Sequence, residues 1–336
     1  MSILIETGLL QSAAQHLGTP CKAAIITDSQ VGPLYAQPLK EQLEGAGFAV
    51  LVHAIPAGEA SKGLETYGEL LSFLAGHRLT RSDLVIALGG GVVGDIAGFV
   101  AATYLRGIRL AQIPTTLLAQ VDSSVGGKTG IDLQQGKNLA GAFYQPQTVL
   151  IDPQALDSLP YDQYRNGLAE VVKYGVIQDA ALFDMVPYEA GEQEEVIRRC
   201  VQIKQDIVAR DERDRGDRQL LNFGHTFGHA VEHLSGYSLL HGEAVAIGMS
   251  IMARACAHRG LCPQEDASRL LNALHVLGLP TRTEEPEQAI FDALLVDKKR
   301  MDGGITLVLM RGIGDCFLQK MSLQEARDLL HDGLSA

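Results

Sequence analysis

The chain has 336 residues, 46% of them hydrophobic, and this length predicts two folded domains rather than one. Its net charge of −12 at pH 7 argues against nucleic acid or an anionic membrane as a partner. No apolar run reaches the roughly 18 residues of a membrane span, and the N-terminal residues do not look like a secretory signal. The five scattered cysteines form no CxxC pair, which argues against a disulfide framework and predicts a cytoplasmic location.

The first half of the chain alternates predicted strands and helices. Amphipathic patterns predict helices near residues 39–46 and 65–74. Apolar runs predict strands at residues 23–27, 48–53, 84–88, 108–113 and 148–151. The alternation implies βαβ units, and we therefore predict an α/β N-terminal domain with a doubly wound, mostly parallel, Rossmann-like sheet.

A glycine-rich segment, GGGVVGD, follows the predicted strand at residues 84–88 and opens a helix. Small residues let a ligand approach the backbone, and a helix start offers free N–H groups and partial positive charge to a phosphate. The segment departs from GxGxxG, so a tight turn with close helix packing remains the alternative. Asp28, just after the first predicted strand, is a candidate acceptor for a ribose diol.

A second polar segment covers residues 112–138. Its sequence GGKT resembles a phosphate loop, but GxxxxGK[ST] would require glycine where Asp122 stands, so a P-loop is rejected. Lys128, Lys137 and Asn138 supply two cations and a donor, which suit a small phosphorylated or carboxylated substrate. The alternative is a solvated loop with surface lysines.

The second half is predicted to be mainly helical. A domain boundary near residue 160 divides the chain into an α/β domain (1–159) and an α-helical domain (160–336). Within the first helix of the second domain, Glu170 and Lys173 are three residues apart, as in a surface ion pair worth about 0–1 kcal/mol. Helices are predicted at 162–177, 192–209, 222–234, 240–259, 265–277, 286–295 and from 323, with a β-hairpin at 305–310 and 315–319.

Residues 220–249 hold four of the ten histidines. The spacing puts His225 and His229 on one helical face, and His233 continues the row; His241 starts the next helix. Neutral imidazole is the commonest protein metal ligand, so a metal site is the sharper hypothesis. Histidines that only hydrogen-bond within a helix pair are the alternative, and spacing does not identify which of them would bind.

Together these motifs resemble those of the 3-dehydroquinate synthase family, the sugar-phosphate cyclases of the shikimate pathway. The resemblance covers nearly the whole chain, and the motifs occur in the family's order. They are GEASK (58–62), GGGVVGD (89–95), YLRG (104–107), PTT (114–116), DSSVGGKTG (122–130), KN (137–138), GLAEVVKYG (167–175), LNFGHTFGHA (221–230), HGEAV (241–245) and DKK (297–299).

The resemblance implies a divalent metal, zinc with cobalt as the alternative, held by Glu170, His225 and His241. His229 then becomes a proton-transfer residue, and His233 is left with a structural role. Three protein ligands leave positions open for substrate hydroxyls.

The resemblance also implies cofactor and substrate contacts. Arg106 matches an arginine that reaches a neighbouring subunit's site, which implies a homodimer. The implied NAD contacts are Asp28, Glu59, Lys62, Gly90, Gly91, Val92, Asp95, Thr115, Thr116, Lys128, Lys137 and Ser158. The implied substrate contacts are Arg106, Asp122, Lys128, Asn138, Lys173, Lys204, Arg218, Asn222, Lys298 and Lys299.

The implied reaction converts 3-deoxy-D-arabino-heptulosonate 7-phosphate to 3-dehydroquinate and phosphate. It proceeds by transient oxidation with NAD, β-elimination, re-reduction and intramolecular aldol closure. The implied catalytic residues are His229, Lys173, Asp214 and Asn222. Two departures stand out: the family usually has glutamate where Asp214 stands, and the chain is expected to lack the first N-terminal strand.

The sequence leaves three alternative functions open. A related cyclase, such as an amino-dehydroquinate, valiolone or scyllo-inosose synthase, would share most motifs. A metal-dependent alcohol or glycerol dehydrogenase would share the two-domain plan but release NADH stoichiometrically. A metal-stabilised binding protein without catalysis is the third alternative, and only Asp214 favours it.

Overall fold

The computed structural model describes residues 1–214, 216–298 and 304–335. The chain divides into two compact units, Met1–Pro160 and Tyr161–Ala336. No helix in the described part is both long and apolar enough to cross a membrane. The first unit contains strands β1 (Ser2–Ile5), β2 (Lys22–Asp28), β3 (Ala49–Ile55), β4 (Leu84–Gly89), β5 (Arg109–Pro114), β6 (Lys128–Leu133), β7 (Gly136–Phe143) and β8 (Thr148–Ile151), and helices α1 (Gln37–Gly45), α2 (Leu64–Gly76) and α3 (Gly91–Thr103).

Six of these strands form one parallel sheet in the order β1-β8-β5-β4-β2-β3. All five predicted strands lie in it, and the predicted α/β fold class is confirmed. A strand that the sequence did not predict lies near the N-terminus, since β1 pairs with β8 from Ser2 opposite Thr148 to Ile5 opposite Ile151. It is an edge strand, and none of its residues is fully buried.

Both faces of the sheet are covered. Every residue of β4 is buried, as its unbroken apolar run predicted. Alternate residues of the strands point to opposite faces. On one face Ile25 and Ile86 pack with Leu43 of α1, and on the other Ile26 packs with Leu70 of α2. The central strand is therefore held rigidly, and so is the helix start that follows it.

Strands β6 and β7 form an antiparallel hairpin that was not predicted. Gly130 pairs with Gly141, and a methyl group on Gly130 would lie 2.8 Å from the carbonyl oxygen of Ala140. These glycines weaken the alternating pattern from which strands are predicted. Lys128 and Lys137 consequently lie on strands rather than in an irregular loop.

The second unit is helical with one small hairpin, as predicted. Helix α8 is its centre and packs against α4, α7, α9 and α11. The elements are α4 (Tyr161–Gln178), α5 (Ala180–Met185), α6 (Gln193–Arg210), α7 (His225–Leu234), α8 (His241–His258), α9 (Gln264–Val276), α10 (Glu287–Lys298), β9 (Ile305–Gly312), β10 (Asp315–Met321) and α11 (Leu323–Ser335). Helix α7 begins at His225, later than the predicted residue 222, because Asp217–Asn222 form a 3-10 helix.

Helices α7 and α8 approach each other backbone to backbone. A methyl group on Gly248 would overlap the carbonyl oxygen of Gly224, and one on Gly228 would lie 2.8 Å from the carbonyl oxygen of Ala244. Only glycine permits this approach. The crossing brings His225 and His241, the first residues of the two helices, to the same place.

Candidate active site

Glu170 and Lys173 lie on α4 at the base of the candidate site. Both side chains are only 1% exposed and pair with each other, so the prediction of a surface ion pair is wrong. Buried charges require partners. Burial alone would raise the pKa of Glu170, but the Lys173 ammonium and the neighbouring His225 hold it well below its usual value. The carboxylate is therefore ionised inside the protein.

Two histidines face the same carboxylate oxygen. The Nε2 atoms of His225 and His241 lie 3.4 and 3.5 Å from Oε1 of Glu170. Donor atoms that share a tetrahedral zinc ion lie about 3.4 Å apart, since each metal bond is about 2.1 Å long. One carboxylate and two imidazoles at this spacing fit zinc or cobalt.

His229 lies next to this pair. Its ring centroid is 5.2 Å from that of His225 and 5.7 Å from that of His241. The ligand atoms of the three histidines lie within 4.8 Å of one another, so a three-histidine set is also geometrically allowed. Desolvation, followed by the neighbouring His225 and His241, lowers the pKa of His229 to about 3, and its imidazole is neutral at pH 7 although the residue is exposed. His233 contacts Tyr237 instead, with Nδ1 3.3 Å from the phenol oxygen.

Besides Lys173, two predicted substrate cations are buried in the helical unit. Lys204 is 6% and Arg218 2% exposed, and Arg218 donates to the carbonyl oxygen of Glu212 at 2.6 Å. Their elements, α6 and the 3-10 helix at Asp217–Asn222, both pack against α4, which carries Glu170. The predicted residue Asn222 is half-buried at the end of that 3-10 helix.

The remaining predictions in this unit fall on or near its loops. Asp214 is half-buried with φ of 59°, in the left-handed region. Lys298 ends α10, but its side chain is not described, and Lys299 lies outside the described residues.

In the α/β unit, Gly90 and Gly91 stand at the start of α3, directly after the central strand β4. A methyl group on Gly90 would lie 3.0 Å from Thr116, and one on Gly91 would lie 3.1 Å from the hydroxyl of Ser123. The backbone of this helix start therefore packs closely against Thr116 and Ser123, and the first N–H groups of α3 have no partner within the helix. Strands β2 and β4 are neighbours although β3 follows β2 in the chain, and ligands of doubly wound folds bind at such switch points.

A polar cluster centred on Lys62 lies in the same unit. Lys62 is 5% exposed, and its ammonium donates to Asp95 and Asn138, each at 2.6 Å. Burial lowers its pKa, but Asp95 and Glu59 outweigh this and raise it. Lys137 lies 3.8 Å from Glu59. Four predicted cofactor residues therefore meet one predicted substrate residue, Asn138, in a single cluster.

The other predicted cofactor residues are spread around β2, β5 and the end of β8. Oδ1 of Asp28 accepts from the backbone N–H groups of Gln30 and Val31 at 2.8 and 2.9 Å. The hydroxyl of Thr115 is buried and has no hydrogen-bond partner among the described residues, which suits a missing ligand group. Thr116 accepts from the N–H of Ala119 at 3.2 Å.

The last predicted residues of this unit lie at its periphery or in short helices. Ser158 is 2.7 Å from the hydroxyl of Tyr35. Arg106 is exposed and has φ of 64°. Val92 lies in the first turn of α3, Asp122 in a short π-helix (Ala119–Ser123), and Lys128 is exposed at the start of β6.

The sequence did not reveal two groups near the candidate metal-binding residues. Glu232 is buried on α7 and lies 3.6 Å from Nδ1 of His241. The side-chain oxygen of Asn166 accepts from the backbone N–H of Gly242 at 2.5 Å, which ties α4 to the start of α8. For Glu232 a signal existed, since it follows His225 by seven residues and so shares its helical face.

The two units and their sites define a class: NAD- and metal-dependent enzymes of the sugar-phosphate cyclase type. Family models described as 3-dehydroquinate synthase N-terminal and C-terminal match residues 52–166 and 167–300. A 3-dehydroquinate synthase from Desulforamulus reducens is 49% identical over 304 residues, covering 87% of this chain and 85% of that protein. The chain belongs to the 3-dehydroquinate synthase family.

Solved structures of related cyclases have the same fold. A 2-epi-5-epi-valiolone synthase from Streptomyces hygroscopicus, with NAD⁺ and Zn²⁺ bound, is 31% identical with a TM-score of 0.91, covering 99% of this chain and 96% of that one. A 2-deoxy-scyllo-inosose synthase complexed with carbaglucose-6-phosphate, NAD⁺ and Co²⁺ is 26% identical with a TM-score of 0.87, with coverages of 99% and 96%. Both parts of the predicted two-domain fold class are present in these neighbours.

Proposed function

We propose that this chain converts 3-deoxy-D-arabino-heptulosonate 7-phosphate to 3-dehydroquinate and phosphate. The observation that carries the proposal is the convergence of Glu170, His225 and His241 in a member of this family. The steps are oxidation at C5, β-elimination of phosphate, reduction at C5, and ring opening with intramolecular aldol closure. When bound, NAD supplies a reversible hydride acceptor, and zinc or cobalt supplies a Lewis acid for the substrate hydroxyls.

The protein's part begins with the metal ligands. Glu170, His225 and His241 would hold the ion, which would supply a Lewis acid for substrate hydroxyls. Lys173, buried beside Glu170, keeps that carboxylate ionised. It also places a positive charge near the oxygen that becomes negative during oxidation.

Proton transfer falls to His229. Its imidazole lies beside both candidate histidine ligands and is exposed, so a substrate proton can reach it. Asp214 and Asn222 are proposed to assist at the same centre. Aspartate is one methylene shorter than the family's usual glutamate at this position, so its role is secondary in this proposal.

The substrate carries a carboxylate and a phosphate, whereas the protein has a net charge of −12. A local set of cations must therefore offset the substrate's charge. Lys204 and Arg218 are buried on two elements that pack against α4. We propose that they bind the charged groups of the substrate. The other proposed substrate residues are Arg106, Asp122, Lys128, Asn138, Lys298 and Lys299.

The α/β unit is proposed to bind the dinucleotide. The glycine-rich start of α3 at Gly90 and Gly91 suits the pyrophosphate, and the carboxylate of Asp28 suits a ribose diol. The domain assignment of residues 1–159 to cofactor binding and 160–336 to metal and substrate binding follows from this.

We further propose a cytoplasmic homodimer in which Arg106 reaches the neighbouring subunit.

One assay tests the function against its rivals. The zinc-loaded protein is incubated with the heptulosonate phosphate and NAD⁺, and phosphate and NADH are followed together. We expect phosphate release without net NADH. Net NADH would indicate a dehydrogenase, and absence of phosphate would reject the proposed reaction. A parallel incubation with the amino analogue of the substrate distinguishes an amino-dehydroquinate synthase, which would turn over that analogue faster.

A further inference from the structure

Glu232 occupies a position that is unfavourable for a carboxylate. It lies in the last turn of α7 (His225–Leu234), where the helix dipole disfavours negative charge, and it is only 4% exposed. Its Oε2 atom lies 3.6 Å from Nδ1 of His241, an ion-pair separation slightly longer than a hydrogen bond. The buried carboxyl group therefore has a side-chain partner in His241.

The carboxylate is on the correct side of the helix to serve the metal site. His225, His229 and Glu232 follow one another at spacings of four and three residues, so they share one face of α7. The end of the helix is also held firmly. The carbonyl oxygen of Glu232 accepts from the hydroxyl of Ser235 at 2.7 Å and from the N–H of Tyr237 at 3.2 Å.

His241 consequently lies between two carboxylates. Its Nε2 atom is 3.5 Å from Glu170, and its Nδ1 atom faces Glu232. A histidine that binds metal through one nitrogen donates the N–H of the other, and a carboxylate acceptor fixes the tautomer and strengthens the ligand. His225 is different, because its Nδ1 atom lies 3.1 Å from the backbone carbonyl of Phe223, a neutral acceptor.

We propose that Glu232 is a positioning residue for the metal ligand His241. It receives the Nδ1–H of His241 and thereby keeps the Nε2 lone pair directed at the ion held with Glu170. Glu232 itself contacts neither metal nor substrate. The inference rests on the metal site of the proposed function, but metal binding can be measured without the reaction.

The test compares wild-type protein with Glu232→Gln and Glu232→Asp, each prepared metal-free. Zinc affinity is measured by competition with a chromophoric chelator, and the zinc-dependent rise in melting temperature and the Co²⁺ absorption spectrum are recorded. Glu232→Gln should bind zinc about 10- to 100-fold more weakly, with a smaller melting-temperature rise and an altered Co²⁺ spectrum. Glu232→Asp retains the charge and should recover part of the affinity.

Glu243→Gln is the matched control. Glu243 lies in the first turn of α8, two residues from His241, and pairs with Arg165 at 2.6 Å. This variant should lower the melting temperature of the metal-free protein while its zinc affinity stays at the wild-type value.

Wild-type zinc affinity and an unchanged Co²⁺ spectrum in Glu232→Gln would overturn the inference. A lower metal-free melting temperature with an intact zinc response would overturn it as well, because Glu232 would then be purely structural. Wild-type protein that binds no zinc would reject the metal site and this inference together. Weakened zinc binding in Glu232→Gln, in a protein that releases no phosphate, would support the inference and reject only the reaction.

Discussion

His229 is the residue whose role is decided by its neighbours rather than by its own position on the helix. Oε1 of Glu170 faces Nε2 of His225 and of His241 at 3.4 and 3.5 Å, while His229 lies beside these two rings. We therefore treat Glu170, rather than His229, as the third ligand. A metal ion would then leave the neutral imidazole of His229 available to accept a proton.

Two alanine variants separate the ligand sets. His241→Ala should lose bound zinc and lower the turnover number by more than the roughly 100-fold that loss of an outer-shell partner costs. His229→Ala should keep zinc at wild-type stoichiometry and lose about 10²- to 10⁴-fold in turnover, as expected for a general base. Zinc content by atomic emission and steady-state rates measure both effects. Loss of zinc from His229→Ala would favour the three-histidine set instead.

A substitution at Gly91 tests the proposed nucleotide-binding site. A valine at this position would place carbon atoms over the start of α3, where a methyl group alone already lies 3.1 Å from the hydroxyl of Ser123. We expect Gly91→Val to raise the KM for NAD⁺ at least about 10-fold, because the phosphates lose their approach to the helix N–H groups. Zinc affinity, measured in parallel, should not change. An unaltered KM would show that the cofactor binds elsewhere.

The Glu170–Lys173 pair shows where prediction at this scale reaches its limit. Its spacing of three residues predicts that the two side chains meet, and they do. Whether they meet in water or inside the protein depends on α8 and the other helices that cover α4, and spacing along one helix carries no information about those contacts. Spacing along one helix could not identify the proposed metal ligands either, since Glu170 is distant in sequence from both histidines.

At the scale of elements, the crossing of α7 and α8 sets the geometry of the metal site. Gly224, Gly228 and Gly248 let the two backbones touch, and the first residues of both helices are proposed ligands. The sequence predicts both helices from their apolar periodicity. It does not predict their separation, because an isolated glycine in a helix is equally compatible with an open surface.

Gly248→Ala should disturb this crossing. The added methyl group would overlap the carbonyl oxygen of Gly224, and overpacking of this kind costs about 1–3 kcal/mol in the free energy of unfolding. We expect that loss in urea unfolding, together with weaker zinc binding. Gly68→Ala on α2 is the control, because no atom lies within 4 Å of a methyl group there. It should stabilise the protein by about 0.4–1 kcal/mol; equal effects of the two substitutions would contradict the role given to the crossing.

The parallel sheet was largely predictable and the hairpin at β6 and β7 was not. Continuous apolar runs such as residues 84–88 indicate strands that are buried on both faces. In the hairpin, glycines at 130 and 141 replace the side chains whose alternation would reveal a strand. The edge strand β1 has no fully buried residue, whereas the equally short β8, which was predicted, is buried over Val149–Ile151.

At the scale of the whole molecule, each compact unit carries one part of the proposed chemistry. The α/β unit has the glycine-rich start of α3 and the Lys62 cluster. The helical unit has the candidate metal-binding residues and the buried cations Lys173, Lys204 and Arg218. Chain length and element order predict two domains, whereas the assignment of individual ligands depends on motifs that resemble a known family.

The central claim is that the substrate is oxidised and reduced at the same carbon within one turnover. The most direct measurement uses the heptulosonate phosphate labelled with deuterium at C5 and follows the label in the product by mass spectrometry. Our account predicts that 3-dehydroquinate retains the deuterium, at one phosphate released per product and with no accumulation of NADH. Deuterium that is lost to solvent, or that is recovered in free NADH, would contradict it.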